Sequence, residues 1–153
     1  MQATRIISEA DIIPNRAAGY RLVKGELKNQ EWVAPAMNTT ADGSLYFSIA
    51  DLSKWDAALY QGKLLKPSSF DLMWTPVKLK NGQPNKARYG FGWFIEERNG
   101  HRCTHHDGSS QGFEPALDRY VDDHLSVVAL TNLAGAKPGE ITKHVAEMYL
   151  QSK

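Results

Sequence analysis

Residues 89–113 read YGFGWFIEERNGHRCTHHDGSSQGF, and the pattern in this stretch decides the fold. Its first part, from Tyr89 to Glu97, is rich in aromatic and β-branched side chains. Alternation with a period of two places Phe91, Trp93 and Ile95 on one face, which is typical of a β-strand. We therefore predict a strand over this part and a place in the core for Phe91 and Trp93.

A tight turn and a second strand follow. Asn99-Gly100 suits a two-residue hairpin turn, because both central residues of such a turn adopt a positive φ. The chain returns from His101 to His106 and leaves through a run of glycines and small polar residues, 107–112. Glycines beside a strand that carries histidines let another molecule approach the backbone closely. The hairpin therefore predicts one wall of an active site.

A second strand pair and a helix extend the hairpin toward the C-terminus. Phe113–Tyr120 and Leu125–Thr131 are predicted strands, and Asp122-Asp123 joins them. The last strand is apolar at nearly every position, as expected for a strand covered on both faces. The terminal helix is predicted to pack through Ile141, Val145, Met148 and Tyr149.

Two helices are predicted before residue 89. Ser48 opens the clearer one, because its hydroxyl can cap the amide three residues on, and Asp51 stands where the acid of a capping box reaches back. Gly62 is a natural end for this helix. The second helix runs from Ser68 to Trp74 and stops there because Pro76 follows.

Short extended segments and a polar run complete the chain. Tyr20–Val23 is predicted to pair with Glu31–Val33, with the turn at Lys24-Gly25 or at Lys28-Asn29. The polar run KLKNGQPNKAR, residues 78–88, predicts an exposed loop or short hairpin. Helices followed by an antiparallel meander and a last helix predict an α+β fold, an antiparallel sheet with flanking helices.

Composition excludes several classes of function. With 153 residues, 42% hydrophobic content and four tryptophans, the chain is expected to fold into a globular core. Its 18 basic and 17 acidic residues are interspersed, so we expect no nucleic acid and no anionic membrane surface as a partner. No apolar run approaches the roughly 20 residues of a membrane span. Cys103 is the only cysteine, so no intrachain disulfide forms.

Four segments, in this order and spacing, resemble the C-terminal part of the serine β-lactamase-like superfamily, in its class C β-lactamase, penicillin-binding-protein and esterase branch. They are GSLYFSIADLSKWDAALYQGKLLKPSSF (43–70), YGFGW (89–93), HDGSSQGF (106–113) and LSVVALTN (125–132). Met1–Thr4 also resembles the Gly-Met-x-x-Thr step before this region. The resemblance implies the C-terminal portion of a β-lactamase/transpeptidase-like fold. It implies one partial domain over 1–153, with a mainly helical and loop region over 1–88 and the meander plus terminal helix over 89–153.

Two motifs of that superfamily do not occur in this sequence. Its nucleophile lies in Ser-x-x-Lys, where a lysine one helical turn away takes the serine proton, and a tyrosine in Tyr-x-Asn also handles that proton. Here no serine has a lysine at the third position after it, and no tyrosine is followed by x-Asn. The resemblance therefore implies the second half of a larger serine hydrolase, inactive alone, whose complete form acts on a β-lactam, peptide or ester substrate.

The resemblance assigns roles to the third motif, His106-Asp107-Gly108. This motif forms the sheet margin that faces the nucleophile, where substrate adds to the strand through its backbone. The amide of Ser109 is then one oxyanion-hole donor, a type of contact worth about 3–4 kcal/mol of transition-state stabilisation. His106 meets the substrate carboxylate or leaving group, and Gly108 leaves room for the acyl group. The further substrate-binding positions are Asp107, Ser110 and Gly112.

Each of these roles has a structural alternative. His105 and His106 point to opposite faces of the strand, so only one of them faces a cleft. Alignment with the motif favours His106, and the alternative is a partly exposed structural histidine. Ser109 is favoured as a backbone donor over a nucleophile, because no lysine or histidine is placed to activate it. For Gly112 the alternative is turn geometry.

A metal site is disfavoured by strand geometry. His101, Cys103 and His105 alternate onto one face, but each step separates them by about 7 Å, from a rise of about 3.3 Å per residue. Zinc ligands must all approach the metal to about 2.0–2.3 Å. We therefore expect neither a metal nor a cofactor.

A non-catalytic binding or interaction module built on the same half-fold stays open as the alternative function. The missing neighbours of the sheet predict self-association, a rearranged helix that covers the gap, or pairing with the absent N-terminal part. The resemblance also implies a location outside the cytoplasm, periplasmic or secreted.

Overall fold

A computed structural model describes residues 1–6, 11–30 and 43–151. The strands are β1 (Arg5–Ile6), β2 (Tyr20–Val23), β3 (Glu26–Asn29), β4 (Leu45–Tyr46), β5 (Phe94–Arg98), β6 (His101–Asp107), β7 (Glu114–Tyr120) and β8 (Leu125–Thr131). The helices are α1 (Ile49–Tyr60), α2 (Pro67–Met73) and α3 (Pro138–Glu147). None of the helices in these described ranges is long and apolar enough to cross a membrane.

The largest sheet is an antiparallel meander in the order β5-β6-β7-β8. Asn99 and Gly100 form the predicted hairpin turn, with φ values of 52° and 82°. Between β7 and β8, a single 3₁₀ turn over Val121–Asp123 ends at His124, whose φ is 51°. The prediction of an α+β fold, with an antiparallel sheet and flanking helices, is confirmed.

One face of this sheet packs against α1 and α2. Trp93 lies under α1, where its ring stacks on that of Trp55 with 6.1 Å between centroids. Arg119 of β7 is fully buried on the same face, and its Nε donates to Asp56 of α1 at 2.5 Å. The hydroxyl of Ser126 donates to the same carboxylate oxygen at 3.0 Å, so Asp56 ties α1 to β7 and β8. The buried apolar residues of this face are Leu59, Phe70, Trp93, Ile95 and Leu117.

The opposite face packs against α3, but not through the predicted side of that helix. Met148 and Tyr149 are 80% and 74% exposed, whereas Thr142 and Ala146 are buried. The sheet is polar here, since Arg98 pairs with the buried Asp118. The hydroxyl of Thr142 donates to the same Asp118 carboxylate at 2.8 Å, so a hydrogen bond and a small residue set the contact face.

The stretch YGFGW is a loop, and the strand begins only at Phe94. Two glycines account for the difference, because Gly92 adopts a φ of 81°, which a strand does not have, and a Cβ at Gly90 would lie 2.3 Å from the carbonyl oxygen of Met73 at the end of α2. The amide of Phe91 donates to that same oxygen at 3.1 Å. The loop is therefore docked on α2, and Phe91 is 66% exposed, so its predicted place in the core is wrong.

Ser48 caps α1 as predicted, accepting from the amide of Asp51 at 3.2 Å. The Asp51 carboxylate, however, does not complete a capping box. It accepts from the backbone amides of three consecutive residues at the N-terminus, Gln2, Ala3 and Thr4, at 3.1, 2.7 and 2.8 Å. This clamp joins the start of the described chain to the first turn of α1.

The small hairpin forms around Lys24-Gly25, the first of the two predicted turns, with φ values of 51° and 83°. Its strands are β2 and β3, so the partner of Tyr20–Val23 is Glu26–Asn29. The predicted partner, 31–33, lies outside the described residues. The shorter connection is favoured because a two-residue turn with positive φ at both positions matches the twist of the strands.

Candidate functional site

The third motif lies where β6 extends beyond its neighbour β5. The pairing of β5 with β6 reaches only to Phe94 opposite His105, whereas the pairing of β6 with β7 continues to Asp107 opposite Ala116. On the β5 side, the backbone from His106 onward therefore has no strand partner within the described part of the chain. We call residues 106–109 on this side the open margin.

The backbone amide of Ser109 is available at the open margin. The amides on either side of it are occupied, since Gly108 donates to the carbonyl of Pro115 at 3.2 Å and Ser110 donates to that of Phe113 at 3.0 Å. The amide of Ser109 makes no hydrogen bond with any residue that the structure describes. Its side chain is exposed. An N–H in this position can donate to a ligand that approaches along the strand.

Gly108 is not required by anything in the described chain. Its φ lies outside the left-handed region that favours glycine. A Cβ at this position would meet only the ring of Pro115, at 3.6 and 3.9 Å, which is ordinary van der Waals contact. A requirement for glycine at this position would therefore come from a ligand or a segment outside the described residues, not from the described fold.

Gly112 is required by the chain itself. Gln111 and Gly112 have φ values of 54° and 82° and form a two-residue turn, closed by hydrogen bonds between Ser110 and Phe113. A Cβ at Gly112 would lie 2.7 Å from the backbone nitrogen of Tyr20. Turn geometry and close packing account for Gly112 and Ser110, and their substrate-binding role stays a prediction.

His106 is exposed, and both of its ring nitrogens make hydrogen bonds. Nε2 lies 2.9 Å from the hydroxyl of Tyr89, and Nδ1 lies 2.6 Å from the carbonyl oxygen of Asp107. The carboxylate of Asp107 is exposed at the end of the strand. The ring of His106 also packs near that of Phe94, with 5.6 Å between centroids. His106 is therefore held in one orientation although it is on the surface.

His105 lies on the other face of the strand, as alternation predicts. Its ring stacks on Phe94 with 5.3 Å between centroids, and its Nε2 lies 3.2 Å from a carboxylate oxygen of Glu96. Burial and the nearby positive charge of Arg98 lower the pKa of His105, against the opposing effect of Glu96. His105 is thus a half-buried packing residue on the α3 side, away from the open margin.

The residues weighed as metal ligands serve the packing of α3. His101 is buried, with Nδ1 2.7 Å from Asp123 and Nε2 2.7 Å from the carbonyl oxygen of Gln151. Cys103 is fully buried, and burial raises the pKa of its thiol to about 12. In residues 1–6, 11–30 and 43–151 no group of three or more potential ligands could hold a metal ion.

A cavity of about 350 Å³ lies beside the turn that follows the third motif. Arg16 and Gly19 line one side of it, and Gln111 and Phe113 line another. Tyr46 links two of these residues, since the guanidinium of Arg16 donates to its hydroxyl at 3.2 Å and that hydroxyl donates to Gln111 at 3.1 Å. Neither His106 nor Ser109 is part of its lining.

Sequence reasoning missed two residues, Tyr89 and Asn85. The side-chain amide of Asn85 donates to the carbonyl of Tyr89 at 2.8 Å, and its oxygen accepts from the amide of Tyr89 at 2.9 Å. The polar run before YGFGW, predicted to be an exposed loop or hairpin, thus includes the residue that orients the partner of His106. A histidine in a strand and a tyrosine 17 positions earlier give no periodic signal.

Comparison with known proteins identifies the family. The family model described as Beta-lactamase matches residues 1–148. Penicillin-binding protein 4* of Bacillus subtilis (strain 168) is 30% identical over 108 residues, which are 70% of this chain and 24% of that protein. A D-aminopeptidase of Gluconobacter oxydans (strain 621H) is 27% identical over 135 residues, which are 86% of this chain and 24% of that protein. The chain thus spans about a quarter of the length of these curated relatives.

Solved structures show the same fold. The octameric penicillin-binding protein homologue from Pyrococcus abyssi matches with a TM-score of 0.78 at 24% identity, over 97% of this chain and 34% of that chain. The penicillin-binding protein from Bacillus halodurans matches with a TM-score of 0.73 at 21% identity, over 98% of this chain and 45% of that chain. The match of fold and of residues 1–148 shows that the chain belongs to the serine β-lactamase-like family of hydrolases.

Proposed function

We propose that this chain is the non-nucleophilic C-terminal part of a serine hydrolase of the β-lactamase, penicillin-binding-protein or esterase type. It contributes the third motif and one oxyanion-hole amide, and the nucleophile is encoded outside residues 1–153. The chain alone does not acylate, because it contains neither Ser-x-x-Lys nor Tyr-x-Asn. Its short coverage of its relatives, about a quarter of their length, supports this division of the site.

The observation that carries the proposal is the amide of Ser109, which donates to no residue that the structure describes and directly follows a glycine that the described residues do not require. Acyl transfer develops negative charge on the carbonyl oxygen, and preorganised backbone N–H groups stabilise that charge. The absence of a Cβ at Gly108 lets an acyl group come close to the strand. The open margin at His106 and Asp107 then offers backbone groups to which a substrate adds as a strand.

The substrate of the complete protein is a β-lactam, a peptide or an ester. All three carry a carbonyl that passes through a tetrahedral intermediate, and the open margin is suited to an extended chain attached to that carbonyl. In line with the family, we place the complete protein outside the cytoplasm. We also propose pairing with the missing part, or self-association through the outer edge of β8, which has no strand neighbour in the described chain until Tyr20 of β2 pairs with Leu133 just beyond it.

Complementation tests the proposal. The 153-residue chain is co-expressed with the N-terminal part of a related penicillin-binding protein that carries Ser-x-x-Lys and Tyr-x-Asn, and the pair is exposed to a fluorescent penicillin. We expect covalent labelling of the reunited protein, no labelling of the chain alone, and none when the supplied serine is replaced by alanine. Co-purification without any labelling, and without turnover of a nitrophenyl ester, would count against the proposal.

A binding module without catalysis is the second candidate, and the cavity beside Arg16 favours it. Its volume of about 350 Å³ lies within the range of small-molecule sites, and the chain forms it without any nucleophile. Calorimetric titration of the isolated chain with short peptides measures this candidate directly. Saturable binding by the chain alone, abolished by Phe113→Ala, supports it.

A further inference from the structure

The hydrogen bonds of His106 determine which of its ring nitrogens carries a proton. The carbonyl oxygen of Asp107 can only accept, so the Nδ1 that lies 2.6 Å from it must donate. In the neutral ring the other nitrogen is then an acceptor, because a neutral imidazole carries one N–H. The hydroxyl of Tyr89, 2.9 Å from Nε2, is therefore the donor in that contact.

The hydroxyl of Tyr89 is held in place from several sides. Asn85 binds both backbone groups of Tyr89 with its side-chain amide, and the amide of Val77 donates to the carbonyl of Tyr89 at 2.9 Å. The ring of Tyr89 packs edge-on against Phe94, with 4.7 Å between centroids and 71° between planes. The backbone of Tyr89 is thus held by hydrogen bonds, and its hydroxyl is positioned to contact His106.

We propose that Tyr89 is a positioning residue that, together with the carbonyl of Asp107, holds His106 as the Nδ1–H tautomer. In that state the neutral ring has no N–H left for a ligand. The polar group that meets a ligand is then the hydroxyl of Tyr89, through its oxygen lone pairs. In the doubly protonated ring, Nε2–H donates to the Tyr89 oxygen and the hydroxyl proton becomes free to donate to a carboxylate. This last step rests on the proposed function, whereas the tautomer does not.

Nitrogen-15 NMR of the isolated 153-residue chain reads the tautomer without any catalysis. At a pH where the histidine rings are neutral, two- and three-bond ¹H–¹⁵N correlations distinguish a protonated from an unprotonated ring nitrogen. We expect His106, assigned by the loss of its signals in His106→Gln, to be protonated at Nδ1 and unprotonated at Nε2. Protonation at Nε2 in the unaltered chain would overturn the proposal.

The variant Tyr89→Phe removes one oxygen and keeps the ring contact with Phe94. We expect the share of the Nε2–H tautomer of His106 to rise, because only the contact of Nδ1 with the carbonyl of Asp107 is left to favour the Nδ1–H form. His144 is the internal control, because its Nδ1 also lies 2.7 Å from a backbone carbonyl oxygen, that of Glu140, while no hydroxyl contacts its Nε2 within the described chain. Unchanged signals of His106 in the variant contradict the role of Tyr89.

The reunited protein separates this inference from the proposed function. A penicillin carries a carboxylate beside its acyl group, whereas nitrophenyl acetate carries none. We expect Tyr89→Phe to slow acylation by penicillin about 10- to 100-fold more than it slows turnover of nitrophenyl acetate, the effect of losing one hydrogen bond to a charged group. Equal loss on both substrates contradicts a contact between Tyr89 and the carboxylate. If the unaltered reunited protein reacts with neither substrate, the proposed function fails. The NMR measurement on the isolated chain still decides the tautomer in that case.

Discussion

Gly108 and Gly112 are four positions apart, and they differ in whether the described fold requires a glycine there. Gly112 adopts φ 82° and lies against the backbone of Tyr20, so the fold itself excludes a side chain. Gly108 has an ordinary φ, and a Cβ there would make only ordinary van der Waals contact with the ring of Pro115. The contacts of residues 1–6, 11–30 and 43–151 therefore require glycine at position 112 but not at position 108.

Alanine at each position tests this difference. We expect Gly108→Ala to leave the free energy of unfolding unchanged or raised by up to about 1 kcal/mol, because alanine restricts the unfolded chain. Gly112→Ala should lower it by about 1–3 kcal/mol through backbone strain. Urea denaturation of the isolated chain measures both. Equal destabilisation by the two variants would show that Gly108 also serves the fold, and the case for a ligand at that position would be lost.

The carboxylate of Asp51 links stability to pH. Burial alone would raise its pKa, but hydrogen bonds from the amides of Ala3, Thr4 and Gln2 hold it well below its ordinary value of 3.8. Because the pKa of Asp51 is lower in the folded state than in the unfolded state, the ionised carboxylate stabilises the fold at pH values above about 3.8. This stabilisation is lost as the pH falls below that value. Asp51→Asn should therefore destabilise the chain most near neutral pH and progressively less as the pH falls from about 4.

Denaturation at pH 7, 4 and 2.5 checks that dependence. Asp71→Asn is the control, because Asp71 is exposed on α2. We expect the gap in unfolding free energy between the unaltered chain and Asp51→Asn to narrow with falling pH, while Asp71→Asn has little effect throughout. A gap of constant size would exclude the ionised carboxylate as the source of the stability.

At the scale of elements, the sequence predicted a feature correctly where that feature depends on residues that are neighbours in the sequence. The cap at Ser48 and the turn at Asn99-Gly100 form as predicted because each depends on only a few consecutive residues. The alternation of YGFGW favours a strand, but Gly92 turns the backbone with a φ of 81°, and the docking of Gly90 on Met73 depends on another element that the local pattern does not reveal. The third motif can be recognised in the sequence. The contact of Tyr89 with His106 cannot, because the two residues are 17 positions apart and only the fold brings them together.

The packing face of α3 shows why hydrophobic pattern alone fails. Apolar periodicity favours Ile141 and Met148, but the sheet beneath presents Asp118, which needs a hydrogen-bond donor. Thr142 supplies that donor, and the small side chain of Ala146, 1% exposed, fits at the interface. No pattern within the helix reveals the polarity of the surface on which it lies.

Substitutions on the two sides of α3 distinguish the faces. Ala146→Leu should lower the free energy of unfolding by about 1–3 kcal/mol through overpacking. Met148→Ala should change it by less than about 0.5 kcal/mol, since Met148 is 80% exposed. Thermal or urea unfolding measures both. A larger loss from Met148→Ala would reverse the assignment of the buried face.

The contact between α1 and the sheet depends on a buried charge. Arg119 is fully buried and its Nε is paired with Asp56. Asp56→Ala should therefore cost about 3–5 kcal/mol, because it leaves a buried cation without its partner. Asp122→Ala is the matched control, since the pair of Asp122 with Arg102 is exposed and such pairs contribute about 0–1 kcal/mol. Similar losses in the two variants would mean that burial does not determine the strength of these pairs.

At the scale of the whole molecule, the chain is a sheet with two helices on one face and one on the other, and its outer edges are β5 and β8. Its fold matches about a third to a half of two larger solved proteins. Exposed apolar side chains on the β2–β3 hairpin, such as Leu22 and Leu27, are each 58% exposed. Stretches of sheet edge without a strand partner among the described residues, together with exposed apolar surface, favour association with a further segment or a second copy.

The central claim is that residues 106–109 form half of an acyl-transfer site whose nucleophile lies on another segment. Intact-mass spectrometry of the reunited protein after exposure to penicillin tests it most directly. We predict a mass increase of one penicillin on the serine-bearing segment, present with the unaltered chain and lost when the chain carries Gly108→Val, which fills the space for the acyl group. An adduct that forms equally well with Gly108→Val, or without this chain, would contradict the claim.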